Sequence, residues 1–315
     1  MADEKIYETI VIGGGAAGLT AALYTSREGM DMLLLEKGNC GGLAASTELI
    51  ENYPGFSEGI NGNKLLDEFK RQAERFDAKI KEFEQVQGIE KNGELIEVKT
   101  DKEKYKAHTL IIASGSIPKP LNVPGEREFF GRGVSYCAAC DGPLFKDKDI
   151  AIVGCGNSGL QEGEFLLKHV KHITFVEFLP QMSASKVLQD RLRKSENTKF
   201  LLNHELVSIN GEERVEFITL KDKQSDEKKE IKVSGVFIYA GFLPNTDFLK
   251  GSLEMDSLGY IKTDYNMQTS ISGVFAAGDV RSKKVRQIDV ACGEATISAI
   301  AARDYLMSKR TEKNS

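Results

Sequence analysis

Two stretches of the chain repeat one succession of apolar and polar positions. In the first, the apolar run Ile10-Val11-Ile12 meets Gly13-Gly14-Gly15-Ala16-Ala17-Gly18, continues into a helical stretch Leu19–Glu28, and returns to the apolar run Met32–Leu35 closed by Glu36. The second runs Ile150–Val153, then Gly154-Cys155-Gly156-Asn157-Ser158-Gly159, a helical stretch Leu160–His169, and Ile173–Val176 closed by Glu177. Each predicts strand, glycine-rich turn, helix and strand. Glu36 and Glu177 each follow the last glycine of their turn by 18 residues, so the two registers agree. A single glycine-rich turn could be no more than a tight strand-to-helix connection. Two copies with matching strands and acids are the dinucleotide-binding βαβ unit.

Each residue type has a physical task there. The first glycine (Gly13, Gly154) makes the turn, the second (Gly15, Gly156) lets backbone approach a pyrophosphate, and the third (Gly18, Gly159) lets helix pack on strand. The helix N-terminus attracts the anion, and the terminal acid accepts hydrogen bonds from a ribose diol.

Pro118, Pro120 and Pro124 stiffen the segment from Ser116 to Gly125 against helix, which predicts a crossing between domains. A second crossing is expected near Gly241–Asn245, after a strand over Gly235–Ala240. The expected fold is therefore α/β, with two Rossmann-like dinucleotide-binding domains, the second inserted into the first: 1–116 with 246–315, and 117–245. The polar run Lys221–Glu230 reads as a solvated hairpin tip, Ser308–Ser315 as a frayed tail, and the four histidines as surface residues.

Composition narrows the partners. The 315 residues carry 42 Lys and Arg against 47 Asp and Glu, a formal net charge of −5, which supplies no basic field for a nucleic-acid backbone. No run of 18 apolar residues occurs, and the opening Met1-Ala2-Asp3-Glu4-Lys5 is acidic, so neither a spanning helix nor a signal peptide is expected and the expected location is cytoplasmic.

Five cysteines, at 40, 137, 140, 155 and 292, are too few for a disulfide framework. Cys137-Ala138-Ala139-Cys140 is the one close pair. With no second such pair and only His108, His169, His172 and His204 to add, zinc is not expected and no metal site is assigned. Two thiols at this spacing can close and open a small disulfide, and the neighbouring Asp141 can shuttle the proton that exchange requires. Cys40, Cys155 and Cys292 read as small packing residues.

In chain order, the first glycine turn, Gly41-Gly42, Glu51-Asn52-Tyr53-Pro54-Gly55-Phe56, Ser135-Tyr136-Cys137-Ala138-Ala139-Cys140-Asp141-Gly142, the second glycine turn and Gly273-Val274-Phe275-Ala276-Ala277-Gly278-Asp279 resemble the low-molecular-weight thioredoxin reductases. The likeness covers nearly the whole chain. It implies FAD on the first unit, held by Gly13, Gly15, Ala16, Ala17, Gly18, Glu36, Gly41, Gly42, Asn52, Gly278 and Asp279, with Arg286, Gln287 and Ile288 at the flavin ring ahead of a helix starting near Ala291. It further implies that Cys140 faces the flavin, that Cys137 attacks the disulfide of thioredoxin or a thioredoxin-like protein, and that the chain is a homodimer.

Three departures matter. Leu43 stands where the family commonly has Gln, and Ala138-Ala139 replaces a pair whose second residue is more often Thr. The third is larger: members using NADPH follow the second acid-bearing strand with His-Arg-Arg and a further Arg, where this chain has Glu177-Phe178-Leu179 and Ser183. A 2′-phosphate would meet a carboxylate and two apolar side chains, which disfavours NADPH. Two donors stay open. One is NADH, taken by Gly154, Gly156, Asn157, Ser158, Gly159 and Glu177; the other is ferredoxin or another low-potential carrier. Alternative functions are a flavin-dependent NADH oxidase, a peroxiredoxin reductase and a non-catalytic flavin redox sensor.

Overall fold

The computed structural model describes residues 5–249 and 251–314. The chain divides into two compact units, one drawn from its two ends, up to Ile117 and from Leu243 on, the other from Pro118 to Phe242.

The first unit opens with β1 (Ile6–Ile12), α1 (Ala16–Arg27), β2 (Met32–Leu35), the short α2 (Gly42–Ala45), α3 (Gly62–Glu74), β3 (Lys79–Lys81), β4 (Val86–Asn92), β5 (Leu95–Thr100) and β6 (Lys104–Ile112). The chain crosses at β7 (Ser116–Pro118). The second unit holds β8 (Val134–Ser135), α4 (Ala138–Asp141), β9 (Asp149–Val153), α5 (Asn157–Leu166), β10 (His172–Val176), α6 (Lys186–Arg193), β11 (Thr198–Leu201), β12 (His204–Asn210), β13 (Phe217–Asp222), β14 (Lys228–Lys232) and β15 (Gly235–Ile238). It returns at β16 (Phe242–Pro244) to β17 (Val274–Ala276) and α7 (Ile288–Asn314) of the first unit.

In the first unit β3, β2, β1, β6 and β17 run parallel, and β5 and β4 add antiparallel along the early part of β6. β1 and β2 are buried almost throughout, as continuous apolar runs in a sheet covered on both faces should be. Val11, Leu34 and Ile111 pack beneath α1 and α7 with Leu19, Ala22, Ala295 and Ala299, whereas Ile10, Leu33 and Leu110 face a second layer with Ile96, Val98 and Ile261. The second unit has a parallel sheet in the order β11-β10-β9-β15-β8 and an antiparallel one in the order β12-β13-β14. The fold is thus α/β with two Rossmann-like units, the second interrupting the first.

The helices after the glycine turns begin three residues earlier than the apolar pattern suggests, at Ala16 and Asn157. The last residues of each turn already form the first helical turn, which aims its free N–H groups over the glycines. Helix α7 likewise starts at Ile288 instead of near Ala291, and it runs through the expected frayed tail to Asn314, Ser315 lying outside the described residues. Its inner face of Ala291, Ala295, Ala299, Ala302 and Leu306 is buried against the sheet, and tertiary packing holds what a polar sequence end would not.

One expected surface histidine is buried. His204 Nδ1 lies 2.6 Å from the Leu202 carbonyl and Nε2 2.6 Å from Lys229 Nζ. The supposed hairpin tip is shorter than its polar run, since Lys228–Glu230 belong to β14 and the turn spans 223–227.

Candidate active site

The first glycine turn is fixed by steric necessity. Gly13 has φ +102°, and a Cβ there would lie 2.4 Å from the Ala113 carbonyl oxygen; a Cβ at Gly18 would lie 1.7 Å from the Gly13 oxygen. Gly15 differs: its nearest obstacle is Gly42 Cα at 3.8 Å. It caps α1 without a side-chain hydrogen bond, so the first N–H groups of that helix point into an open face suited to an anion. Glu36 Oε2 accepts from Gly14 N–H at 2.7 Å and Oε1 from Gly38 N–H at 2.9 Å. Gly41 N–H donates to the Gly14 carbonyl at 2.8 Å, which brings Gly41 and Gly42 against the turn.

The late motif joins them through space. Gly278 has φ +79°, and a Cβ on it would come within 2.8 Å of Ala17 Cβ. Among the described residues four buried side-chain polar atoms lack a hydrogen-bond partner, and two of them, Asp279 Oδ1 and Arg286 Nε, belong to this segment. Burial pushes the Asp279 carboxyl above its ordinary value, against the pull of Lys283 and Arg286. Arg286 lies over the Tyr260 ring at 4.3 Å. Asn52 Nδ2 donates to Gln287 Oε1 at 2.8 Å, linking two residues 235 apart, and Ile288 opens α7. An open helix N-terminus beside one buried, unsatisfied carboxylate oxygen and a guanidine N–H suits a ligand bearing phosphates and hydroxyls, and FAD carries both.

Sequence reasoning overlooked the charges behind Asp279. Glu294 Oε2 accepts from Gly278 N–H at 2.9 Å and from Lys283 Nζ at 3.0 Å, while Oε1 meets Arg281 at 2.6 Å. No spacing rule connects these residues; only the crowding of Arg281, Lys283, Lys284 and Arg286 hinted at them.

The second turn repeats the first. Gly154 has φ +108° with the Tyr239 oxygen 2.2 Å from a Cβ, a Cβ at Gly159 would meet the Gly154 oxygen at 2.0 Å, and Gly156 is open, with Ser183 Oγ nearest at 3.5 Å. Asn157 and Ser158 form the start of α5, and Asn157 Oδ1 accepts from Ser185 N–H at 2.7 Å. Glu177 accepts from Cys155 N–H at 2.7 Å and Leu179 N–H at 3.0 Å, the donors equivalent to those on Glu36. The two acids differ in cover: Glu177 is only 8% exposed, whereas Glu36 is half-buried. Lys223 was also unforeseen at this strand end. Its Nζ lies 3.2 Å from the Phe178 ring centre and 3.3 Å from the Phe178 carbonyl oxygen.

Cys137 and Cys140 are joined as a disulfide. Cys137 caps α4, and Cys140 N–H points at its sulfur at 3.2 Å, a donor that would stabilise a thiolate there. Cys137 is half-buried and Cys140 exposed. Ser135 Oγ donates to Asp141 Oδ2 at 2.6 Å and accepts from Cys137 N–H at 3.0 Å, holding the carboxylate next to the pair. The Tyr239 hydroxyl accepts from Ala138 N–H at 3.1 Å; burial holds this phenol above its ordinary value. Ser135 and Tyr239 therefore join the site, although neither carries a pattern that marks it. The other thiols are quiet: burial and Glu82 push Cys40 up to about 12, and burial and Glu177 do the same for Cys155.

The two sheets place different chemistry at one equivalent position. In the first unit β17 pairs with β6 (Ala276 opposite Ile112) and leads to Gly278-Asp279; in the second β8 pairs with β15 (Val134 opposite Val236, Ser135 opposite Phe237) and leads to Cys137. Both lie beyond the carboxyl ends of parallel strands, where open α/β sheets bind ligands. Two dinucleotide folds, one carrying an openable cysteine pair at that edge, define a disulfide oxidoreductase. The chain belongs to the pyridine nucleotide-disulphide oxidoreductase family, whose model matches residues 7–295. It is 41% identical over 307 residues to the thioredoxin reductase of Bacillus subtilis, with 97% of this chain and 96% of that one covered. The crystal structure of Lactococcus lactis thioredoxin reductase matches with a TM-score of 0.94 at 35% identity, covering 96% of this chain and 99% of that one. A ferredoxin-flavin thioredoxin reductase from Clostridium acetobutylicum matches with a TM-score of 0.54 at 27% identity, covering 98% and 99%. Among the described residues no helix is long and apolar enough to cross a membrane.

Proposed function

We propose that the chain is a flavoprotein that reduces the disulfide of a thioredoxin-like protein through Cys137 and Cys140, drawing its electrons from NADH or a low-potential carrier and not from NADPH. The observation that carries the reading is the Cys137–Cys140 disulfide, placed at the ligand-binding edge of a dinucleotide fold with Asp141 held beside it by Ser135. The relatives named as thioredoxin reductases support the partner class.

Gly13–Gly18 and Asp279 would hold FAD, which would supply a two-electron carrier able to reduce the pair. The remaining steps belong to the chain's own residues. The Cys137 thiolate, favoured by Cys140 N–H, attacks one sulfur of the partner's disulfide, forming a mixed disulfide and releasing the other sulfur as a thiolate. Cys140, deprotonated through Asp141, attacks the Cys137 sulfur, which closes the internal disulfide and frees the second partner thiol. Two electrons and the two thiol protons pass to the partner.

The donor reading rests on the end of β10. Residues 177–183 contain no Lys or Arg, and Lys223 is a single ammonium engaged with Phe178 instead of a guanidinium fork. Glu177 retains acceptor capacity for a ribose diol. The ferredoxin-type reading is favoured by its burial and by the likeness to the ferredoxin-flavin enzyme. Mixing the oxidised protein anaerobically with NADH, NADPH or reduced ferredoxin, then adding thioredoxin, tests both parts. A flavin bleached by none of the three, or a bleached protein that leaves thioredoxin oxidised, overturns the reading.

A further inference from the structure

Behind the carboxylate that would hold the flavin's ribityl chain lies a buried set of charges that the family motifs do not explain. The Lys283 side chain is only 9% exposed, its Nζ 3.0 Å from Glu294 Oε2 and 3.6 Å from Asp279 Oδ1. Arg281 holds the other oxygen of Glu294 at 2.6 Å and donates through Nε to Thr263 at 2.8 Å. Arg286 stacks on Tyr260, leaving its buried Nε without a partner. Three cations therefore face two carboxylates around a buried oxygen that receives no hydrogen bond.

We propose that Lys283 is a positioning residue for the flavin: tethered by Glu294, its ammonium holds Asp279 charged and oriented so that the free oxygen can accept hydroxyls of the bound cofactor. The alternative is that Lys283 serves only to neutralise Glu294, which is its nearer contact, but that charge is met without it. Glu294 already has a guanidinium and a backbone N–H on it, whereas Asp279 has Lys283 as its ion-pair partner. Burial works against the charged form of Asp279, and Lys283 heads the interactions that oppose it. The proposal deepens the flavin reading above and rests on it.

Because Arg281 remains on Glu294 and the Asp279 side chain that loses its ion pair is 33% exposed, Lys283→Met strands no fully buried carboxylate, and the variant is expected to fold. The test strips FAD from the full-length protein and measures FAD rebinding by titration, with apoprotein unfolding recorded beside it. Lys283→Met should bind FAD about tenfold or more weakly, as loss of one charge-supported contact implies. Asp279→Asn should weaken binding similarly, and the double variant should be no weaker than Asp279→Asn alone, because one residue acts through the other. Lys283→Met combined with Glu294→Gln should stay weak. Recovery of affinity in that double variant would assign Lys283 to Glu294 and overturn the proposal, as would additive losses in the first cycle or unchanged affinity in Lys283→Met. Failure of the unaltered apoprotein to take up FAD would instead sink the flavin reading itself.

Discussion

Exchange of Phe178, Leu179 and Ser183 for arginine, with Glu177 retained, should shift the protein's nucleotide preference towards NADPH. The three side chains are exposed, so the substitutions disturb little packing, and Ser183 lies beside the open glycine of the second turn. Glu177 has to stay. Cys155 is fully buried and its N–H donates to that carboxylate; losing the acceptor would cost about 1–3 kcal/mol of stability and blur the result. A charge-assisted contact contributes about 1.5–3 kcal/mol when shielded, but about 1 kcal/mol is the fairer figure at exposed positions. Two or three engaged guanidinium groups then give about 2–3 kcal/mol, or about 30- to 150-fold in the ratio of NADPH to NADH affinity. Anaerobic stopped-flow bleaching of the flavin by each nucleotide, over a range of concentrations, measures that ratio in both proteins. Bleaching of the unaltered protein by NADPH as efficiently as by NADH would refute the charge argument. If neither nucleotide bleaches either protein while reduced ferredoxin bleaches both, the second glycine turn is a scaffold and NADH is excluded with NADPH.

Cys137→Ser and Cys140→Ser should each abolish thioredoxin reduction, because neither can close the internal disulfide; full turnover by either variant would make the pair structural. Only Cys137→Ser should trap a thiolate beside the flavin, seen as a long-wavelength absorbance shoulder. Gly15→Val should yield colourless protein with native far-ultraviolet circular dichroism, since a Cβ there comes no closer than 3.8 Å to any neighbour while the side chain fills the open face, and normal FAD content would count against the cradle. Thiols held near 12 stay protonated at about pH 8, so iodoacetamide on the reduced native protein should label Cys137 or Cys140 and spare Cys40 and Cys155. Mass spectrometry showing Cys40 labelled first would contradict this.

The strands, glycine turns and terminal acids were legible because local rules fix them: an apolar run needs burial, and a turn pressed against a carbonyl accepts only glycine. The same locality explains what stayed hidden. Lys223 stands on Phe178 and Lys283 beneath Asp279 because distant segments meet, and a lysine reads alike whether it covers a ring or points into water. His204 was misplaced for that reason: Asp222 stands opposite it across the sheet and Lys229 meets its ring, and neither is near it in sequence. The tail of α7 was misjudged in the opposite sense, since its polar end continues a helix anchored far upstream. Ser135 and Tyr239 carry no periodic signature at all.

The two crossings have a consequence for how the chain folds. Lys119 N–H donates to the Gly241 carbonyl at 3.0 Å, so the second unit brings its own two ends together. Until it has done so, the parallel pairing of β6 with β17 must close a loop containing the 125 residues from Pro118 to Phe242. Once folded, the same insert behaves as a connection of a few residues. The loop between β6 and β17 thereby shortens from 161 residues to about 40, about two doublings at about 0.6 kcal/mol each, or about 1 kcal/mol of closure entropy. Assembly should therefore run from the inside outwards, with the insert acting as a clasp for the unit it interrupts. In pulse-labelled hydrogen exchange the amides of β9 and β10 should be protected no later than those linking β17 to β6, and the reverse order would show that the outer unit closes without help.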